Sequence, residues 1–594
     1  MSTKHFISDP SHLVNTALHA VTLTNPSLSI DLPNKIIYRT NASPSNVSLI
    51  SGGGSGHEPS FASFVGNGLL TSAVAGTIFA SPSAVQIRNA IMGRVPTQKG
   101  VLVIVMNYTG DVLNFGMGVE KARAHGVPVE MVVVGDDVGV TRSAAGKVGR
   151  RGIAGTCLVH KVTGALAEQG ASLDDCVKIA KLVSGNLVSV GASLSHVHVP
   201  GRDKVSAEEE LEEEEIEVGM GIHNEAGSER VKTDLVGLVK KMLAQLLDQT
   251  DKERAFLNIP KGAKVVLLVN NLGGVSVLEM GGIVDEVVRQ LQDTWGLEPV
   301  RTLLGTFMTS LNGMGFSISL LQLQDTGLGA GKSMLELLDA PSEATGWSAA
   351  IKTSTWDRVK PAIKTEEIKP VDEEEKPGNL KFDYAYARTA LETALKRLIA
   401  AEPDITNYDT IVGDGDCGIG LKRGAEGLLK MLERSKSTDD VLIFLQRVIK
   451  VVESTMDGTS GAIYAIFLNA LAAGVRSQSP TSTSAAAEVR EPMQVGIWAR
   501  ALETALQSLG KYTPAQPGDR TLVDALDPFV STLSRTGSVQ KAAEAAQEGA
   551  KKTKDMKASL GRTVYVGGEG FKTVPDPGAY GLAEFLMGLN EGLK

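Results

Sequence analysis

The sequence predicts a two-lobed α/β unit, a linker and an all-α unit, on three observations. Short apolar runs alternate with helical patterns through the first half of the chain. A stretch rich in Lys, Glu and Pro without periodicity, residues 351–380, then interrupts it. Beyond that stretch apolar residues recur at helical spacing, with almost no strand signal. The expected units are therefore 1–350, a linker 351–380, and 381–594.

In the first lobe, VSLI (47–50), VLVIV (101–105) and VEMVVV (129–134) have the length and composition of buried strands. Each is followed by a Gly-rich or acidic turn, and between about Asn46 and Asn186 they alternate with helices, which implies a largely parallel sheet. A second α/β block runs from KVVLLVNNLGG (264–274) through the helical IVDEVVRQLQDTWG to the strand-like FSISLLQL (316–323). Between the blocks, eight of the ten residues 208–217 are Glu, a run that reads as a solvated face or flexible connection. After the linker, FDYAYARTALETALKRLIAAE, GLKRGAEGLLKMLER, VLIFLQRVIKVVEST and GAIYAIFLNALAAGVR are amphipathic helices.

Composition narrows the function. The 59 Lys+Arg against 68 Asp+Glu give a net charge of −9, and aromatics are only 5%. That acidity and the scarcity of stacking surfaces argue against nucleic acid as a partner. Three widely spaced cysteines (Cys157, Cys176, Cys417) offer neither a disulfide framework nor a zinc spacing, and they suit a reducing cytosol. No run approaches 18 uninterrupted apolar residues and no secretory leader opens the chain, so a cytoplasmic protein without a membrane span is expected. All nine histidines precede residue 224, so imidazole chemistry is confined to the α/β unit.

Four constellations carry candidate chemistry. SGGGSGHEPS (51–60) follows the VSLI strand; its glycines free the backbone to wrap a small polar ligand, His57 closes it, and a helix is expected from about Pro59. The plain alternative is a tight glycine turn. NYTGD (107–111) places Asp111 at the carboxyl end of a buried strand, the edge where open α/β sheets bind ligands, as a base or simply a helix cap. GMGIHNEAG (219–227) presents His223 between glycines, for chemistry or as a structural hydrogen-bonder. DTIVGDGDCG (409–418) gathers Asp409, Asp414 and Asp416 within eight residues, hard oxygen ligands suited to Mg²⁺ and phosphate unless the loop is merely a solvated acidic turn. DGTSGA (457–462), PGDRTLVDAL (517–526) and VPDPGAYG (574–581) have the small and hydroxyl residues that let backbone approach a nucleotide, or are interhelical turns. TGLGAGKSM (326–334) lacks the first glycine of a phosphate loop and is set aside.

Taken together and in order, SGGGSGHEP, NYTGD, RRGIAGT, GIHNEAG, GDGDCG, GTSGA, GDRT and DPGA resemble the ATP-dependent dihydroxyacetone kinases over nearly the whole chain. The resemblance implies a substrate domain and a helical, barrel-like ATP domain in one chain, with ATP and Mg²⁺ as cofactors and a homodimer as the assembly. It implies that His223 adds to the C2 carbonyl of dihydroxyacetone as a hemiaminal, that Gly54, Ser55, Gly56 and His57 line the triose with His57 assisting the addition, and that Asp111 is the general base. It further implies that Asp409, Asp414 and Asp416 hold Mg²⁺, and that Asp414, Gly415, Asp416, Cys417, Thr459, Ser460, Thr521, Leu522, Asp576, Pro577 and Gly578 line the nucleotide. D-Glyceraldehyde is an expected second substrate; a triose-binding regulator and an FAD-cleaving, flavin-cyclising activity are the alternatives. Two positions depart from the family pattern: Met106 stands where a lysine is usual, and GIHNEAG where GIHGEPG is usual.

Overall fold

The computed structural model describes residues 5–7, 9–201, 211–348, 351–356, 375, 377, 378, 380–456, 458–479, 491–560 and 570–594. The chain forms two compact units, Met1–Ile363 and Lys364–Lys594. Most of the expected linker, the start of the Glu-rich run and Asp457 lie outside the described residues.

The first unit holds two six-stranded sheets. One is built from β1 (Leu28–Asp31), β2 (Ile36–Arg39), β3 (Ser48–Ser55), β4 (Ser72–Ile78), β5 (Val101–Met106) and β6 (Val129–Val134), in the order β1-β2-β4-β3-β5-β6. Strands β3 to β6 run parallel, as the alternation with helices requires, and the β1–β2 hairpin extends the sheet antiparallel. Strand β5 is buried along its whole length, because helices cover both faces of such a sheet.

The second sheet contains β7 (Leu187–Ser193), β8 (Glu215–Val218), β9 (Glu229–Lys232), β10 (Val265–Asn271), β11 (Pro299–Gly305) and β12 (Gly315–Gln322), in the order β11-β10-β12-β7-β8-β9. Only β10 and β11 pair parallel; every other pairing is antiparallel. The helix Val277–Gln290 connects β10 to β11, as the periodicity predicts.

Three expectations need correction. The glycine segment is not a turn: β3 continues through Gly52–Gly54 to Ser55. A Cβ on Gly52 would lie 2.1 Å from Val74 O and one on Gly54 2.8 Å from Ala80 N, so these glycines let neighbouring backbone pack against the strand. No α-helix starts at Pro59; a 3₁₀ turn spans Ala62–Phe64. The end of the Glu-rich run is likewise no solvated face. It forms β8, and Glu217 is only 3% exposed because His196 and the loop after β8 satisfy its oxygens.

In the second unit, eight helices stand among the described residues: Tyr384–Val412, Cys417–Arg434, Val441–Thr455, Gly458–Ser477, Val495–Leu509, Val523–Thr536, Val539–Lys552 and Pro577–Gly592. A two-residue pairing of Leu380–Lys381 with Glu491–Pro492 is its described strand content. The helices enclose a cavity of 590 Å³ walled by apolar side chains such as Leu395, Phe444, Phe467, Leu526 and Phe585. Among the described helices only Gly458–Ser477 is long and apolar enough to cross a membrane; here it lines this cavity and buries Leu471 and Val475.

Candidate active site

His57 follows β3 and is wholly buried, with its ring stacked on Phe79 at 5.3 Å between centroids. Its Nδ1 meets the Thr309 carbonyl at 2.8 Å, and its Nε2 faces His223 Nε2 at 3.0 Å. His223 lies in the connection between β8 and β9, whose pairing ends at Val218↔Glu229. Glu225, two residues on, folds back beneath it. One oxygen accepts from the His223 backbone N–H at 2.9 Å and the other faces His223 Nδ1 at 3.0 Å. A side chain at 221 would prevent this, since a Cβ there would lie 1.9 Å from Glu225 Oε2. The Tyr108 ring meets the imidazole edge-on at 4.8 Å.

Hydrogen-bond partners assign the protons. A carbonyl only accepts, so His57 Nδ1 carries a hydrogen. Burial would raise Glu225, but the hydrogen bonds from His223 and the charge of Arg151 outweigh it and hold the acid at about 2. It is therefore a carboxylate and takes the Nδ1 hydrogen of His223. With both δ nitrogens carrying hydrogens, a hydrogen bond between the two ε nitrogens, 3.0 Å apart, requires a further proton on one of them. His57 is the poorer holder, because burial and the neighbouring His223 push it down to about 3.

Asp111 enters from the first turn of the helix Thr109–Ala124, just past β5. It is 4% exposed, and burial raises its pKa against a hydrogen bond from Ser81 and the charge of His223. Its Oδ1 is buried without a hydrogen-bond partner among the described residues, and its Oδ2 faces the Gly53 backbone. His57, His223 and Asp111 thus belong to one site. Gly56 lies in the same wall, its carbonyl accepting from Leu311 N at 2.7 Å. The Ser55 hydroxyl is committed to Gly76 O at 3.0 Å, which leaves its backbone as the group a ligand meets. Met106, the last residue of β5, is 1% exposed within the main apolar core.

In the helical unit the acidic loop joins Tyr384–Val412 to Cys417–Arg434. Asp409, Asp414 and Asp416 each bring an oxygen within 4.8 Å of the others, and Gly415 turns the loop between them at φ +80°. Asp409 Oδ2 also accepts from Cys417 N at 3.0 Å, which fixes the loop to the next helix. Three oxygens so close on carboxylates of like charge form the donor set a hard divalent cation takes.

Cys417 Sγ stands 3.9 Å from Ser460 Oγ, which draws the GTSGA segment to the same loop. Asp576 caps the helix that starts at Pro577, accepting from Ala579 N at 2.8 Å, and burial raises it to about 6 with the Asp524 and Asp409 carboxylates adding to the rise. A Cβ on Gly578 would touch Leu522 at 3.5 Å, and Thr521 N donates to Asp524 at 2.8 Å, so the GDRT and DPGA segments adjoin. Thr459 is exposed at the start of its helix.

Sequence reasoning missed Glu225, Thr309, Tyr108 and Arg520. Glu225 and Tyr108 lay inside motifs already singled out, and their spacing to His223 and Asp111 was the available signal. Thr309 comes from 252 residues away and had none. Arg520 is 1% exposed at φ +60° and donates to the Thr553 and Val574 carbonyls, so it ties the GDRT segment to the chain just before DPGA.

The Dak1 domain family matches residues 19–346, and the DAK2 domain family residues 411–591. The dihydroxyacetone kinase of Pichia angusta is 41% identical over 622 residues, covering 100% of this chain and 98% of the relative. The human triokinase/FMN cyclase is 35% identical, with 100% of both chains covered. The crystal structure of the C. freundii dihydroxyacetone kinase in complex with AMP-PNP and Mg²⁺ superposes with a TM-score of 0.63 at 30% identity, covering 99% of this chain and 100% of that one.

Proposed function

The chain belongs to the dihydroxyacetone kinase family, and from that premise we propose that it transfers the γ-phosphate of ATP to a terminal hydroxyl of dihydroxyacetone, with D-glyceraldehyde as a second acceptor. The observation that carries this reading is the convergence of His223, His57 and the unpartnered Asp111 oxygen on one site.

Substrate capture follows from the proton arrangement. As the C2 carbonyl approaches, the shared proton passes to His57 Nε2 and frees the lone pair of His223 Nε2. That pair forms the N–C2 bond, the carbonyl π pair moves to oxygen, and the oxygen takes the proton from His57. The positive charge left on the His223 ring is balanced by Glu225, 3.0 Å away. Glycerol has no carbonyl and cannot be held this way, so the bond itself selects the ketose. Covalent tethering also makes the terminal hydroxyl intramolecular, an advantage of several kcal/mol, on the order of 7.

Asp111 then takes the proton of that hydroxyl as its oxygen attacks phosphorus. The raised pKa that burial gives it makes it a better base than an exposed aspartate. Asp409, Asp414 and Asp416 would hold Mg²⁺, which neutralises charge on the transferring phosphoryl group. Gly415, Cys417, Ser460, Thr459, Thr521, Leu522, Pro577, Gly578 and Asp576 are assigned to the nucleotide. A homodimer and a cytosolic location complete the reading; three free thiols suit the latter, and a monomeric mass in solution would remove the former.

The test is ATP-dependent phosphate transfer to dihydroxyacetone with Mg²⁺, for the wild type and His223→Ala. The variant is expected to lose at least about 10³-fold in kcat/KM, the scale of a lost covalent tether. Wild-type turnover that survives in His223→Ala would overturn covalent capture, and no wild-type turnover would overturn the kinase reading.

A further inference from the structure

The loop that carries His223 is tied down by a segment to which the reaction assigns no part. His196, Val197 and His198 follow β7. The Asn224 side chain grips Val197 from both sides: Oδ1 accepts from Val197 N at 2.9 Å and Nδ2 donates to Val197 O at 2.9 Å. Asn224 immediately follows His223 and sits at φ +63°, the left-handed region that asparagine tolerates better than most side chains. The peptide on which the His223 ring hangs is therefore clamped one residue away.

A second brace closes the same loop. Glu217 of β8 is buried; one oxygen faces His196 Nε2 at 2.7 Å and the other accepts from Gly227 N at 2.9 Å. The middle of the loop is thus anchored to Val197, and its return to Glu217, which His196 holds in turn. Glu225, which aligns the imidazole, lies between these two anchors. A reacting atom must be held to well under an ångström, and a misplacement of about 1 Å costs on the order of 100-fold. Loops of this kind are otherwise the mobile part of a fold.

We propose that Asn224 and the His196–Glu217 pair are positioning residues for His223: they fix the loop so that its imidazole presents Nε2 to the substrate carbonyl before the substrate arrives. The inference rests on the reading of His223 as the capturing nucleophile. Asn224→Gly is the sharpest probe, because glycine keeps the left-handed backbone and deletes only the two hydrogen bonds. Asn224→Asp keeps the acceptor for Val197 N and loses the donor.

The full chain is assayed with MgATP and dihydroxyacetone, and carbon NMR with triose labelled at C2 follows conversion of the bound carbonyl to the tetrahedral adduct. In Asn224→Gly the KM for dihydroxyacetone is expected to rise about tenfold, the usual scale for loss of an outer-sphere support, with the adduct signal reduced in parallel. The KM for ATP stays unchanged, and Asn224→Asp falls between. A role in stability alone would lower the melting temperature and leave the triose KM and the adduct untouched; that result overturns the proposal. Should Asn224→Gly fail to fold, His196→Gln carries the same test with a rise of about threefold expected. His223→Ala run alongside separates the two readings. If it still forms the adduct, the nucleophile assignment falls and this inference with it. If it does not, and Asn224→Gly matches the wild type, only the positioning role falls.

Discussion

Every ring nitrogen of His57 and His223 has a partner in the α/β unit, whereas in the helical unit Asp414 and Asp416 are exposed carboxylates within 4.8 Å of each other and of Asp409. The first site is assembled by the protein's own hydrogen bonds, drawn from segments 252 and 166 residues apart along the chain. The second gathers three carboxylates in one short loop, a donor set that suits a divalent cation. Under the proposed function the difference follows from the two tasks. A neutral triose offers little to attract it, so the protein must pre-arrange a nucleophile; a nucleotide triphosphate brings its own charge, and the protein need only supply ligands for the metal that accompanies it.

The contrast breaks if the sites do not separate in mutants. Asp111→Asn is expected to lower kcat by about 10³-fold, the middle of the range for a lost general base, while stabilisation of the protein by MgATP in a melting assay persists. Asp414→Asn is expected to abolish that MgATP stabilisation and to lower turnover by on the order of 100-fold, with the labelled dihydroxyacetone adduct still forming. An Asp414→Asn protein that melts higher with MgATP, as the wild type does, would remove that residue from the metal site.

How far the two regions were legible in the sequence also differs. The acidic loop could be read almost whole, because its three carboxylates lie within eight residues and the glycines between them announce the turn. The amphipathic helices around it were equally plain. In the α/β unit, β5, β6 and β10 showed as apolar runs, but β8 was hidden beneath its glutamates. Its Glu217 points inward only because His196 waits there, a long-range pairing that no local pattern encodes. The glycines of β3 misled for a related reason: their cause is the backbone of β4, 2.1 Å from where a Cβ would stand. His223 and Asp111 were visible as motif members, while Thr309, which sets the His57 tautomer, was not.

A weaker effect should also divide the units, since every histidine lies in the first. His57 and His160 are fully buried, and burial pushes both down to about 3. Neither nitrogen of His160, which meets Phe61 and Phe64 edge-on, has a hydrogen-bond partner among the described residues. A group whose folded pKa lies below its unfolded value takes up a proton on unfolding. Its contribution to stability is therefore intact above pH 6.5 and declines as the pH falls toward 3, by up to about 1.4 kcal/mol per unit. His160→Leu should flatten this acid limb. Between pH 6.5 and 5 the wild type should lose about 1.6 kcal/mol more than the variant in urea unfolding of the α/β unit. Parallel curves would show that His160 does not titrate on unfolding.

Position 106 should give the smallest effect, and it tests how completely the α/β site is preassembled. Met106 ends β5 beside the residues that lead into Asp111, yet its side chain is 1% exposed in the apolar core. A lysine there must either desolvate its ammonium in the core or run its stem past the strand end to bring the charge to the triose. The first costs several kcal/mol and would appear as lost stability. The second adds one charged hydrogen bond, worth about 1.5–3 kcal/mol before the cost of ordering a long side chain is subtracted. The net expectation for Met106→Lys is a KM for dihydroxyacetone lowered about threefold, with kcat unchanged, because His223, His57 and Asp111 already complete the chemistry. A change in kcat of tenfold or more would mean that the donor missing at 106 takes part in the reaction itself. The hydrogen-bonded imidazole pair would then be only part of what the α/β unit must supply.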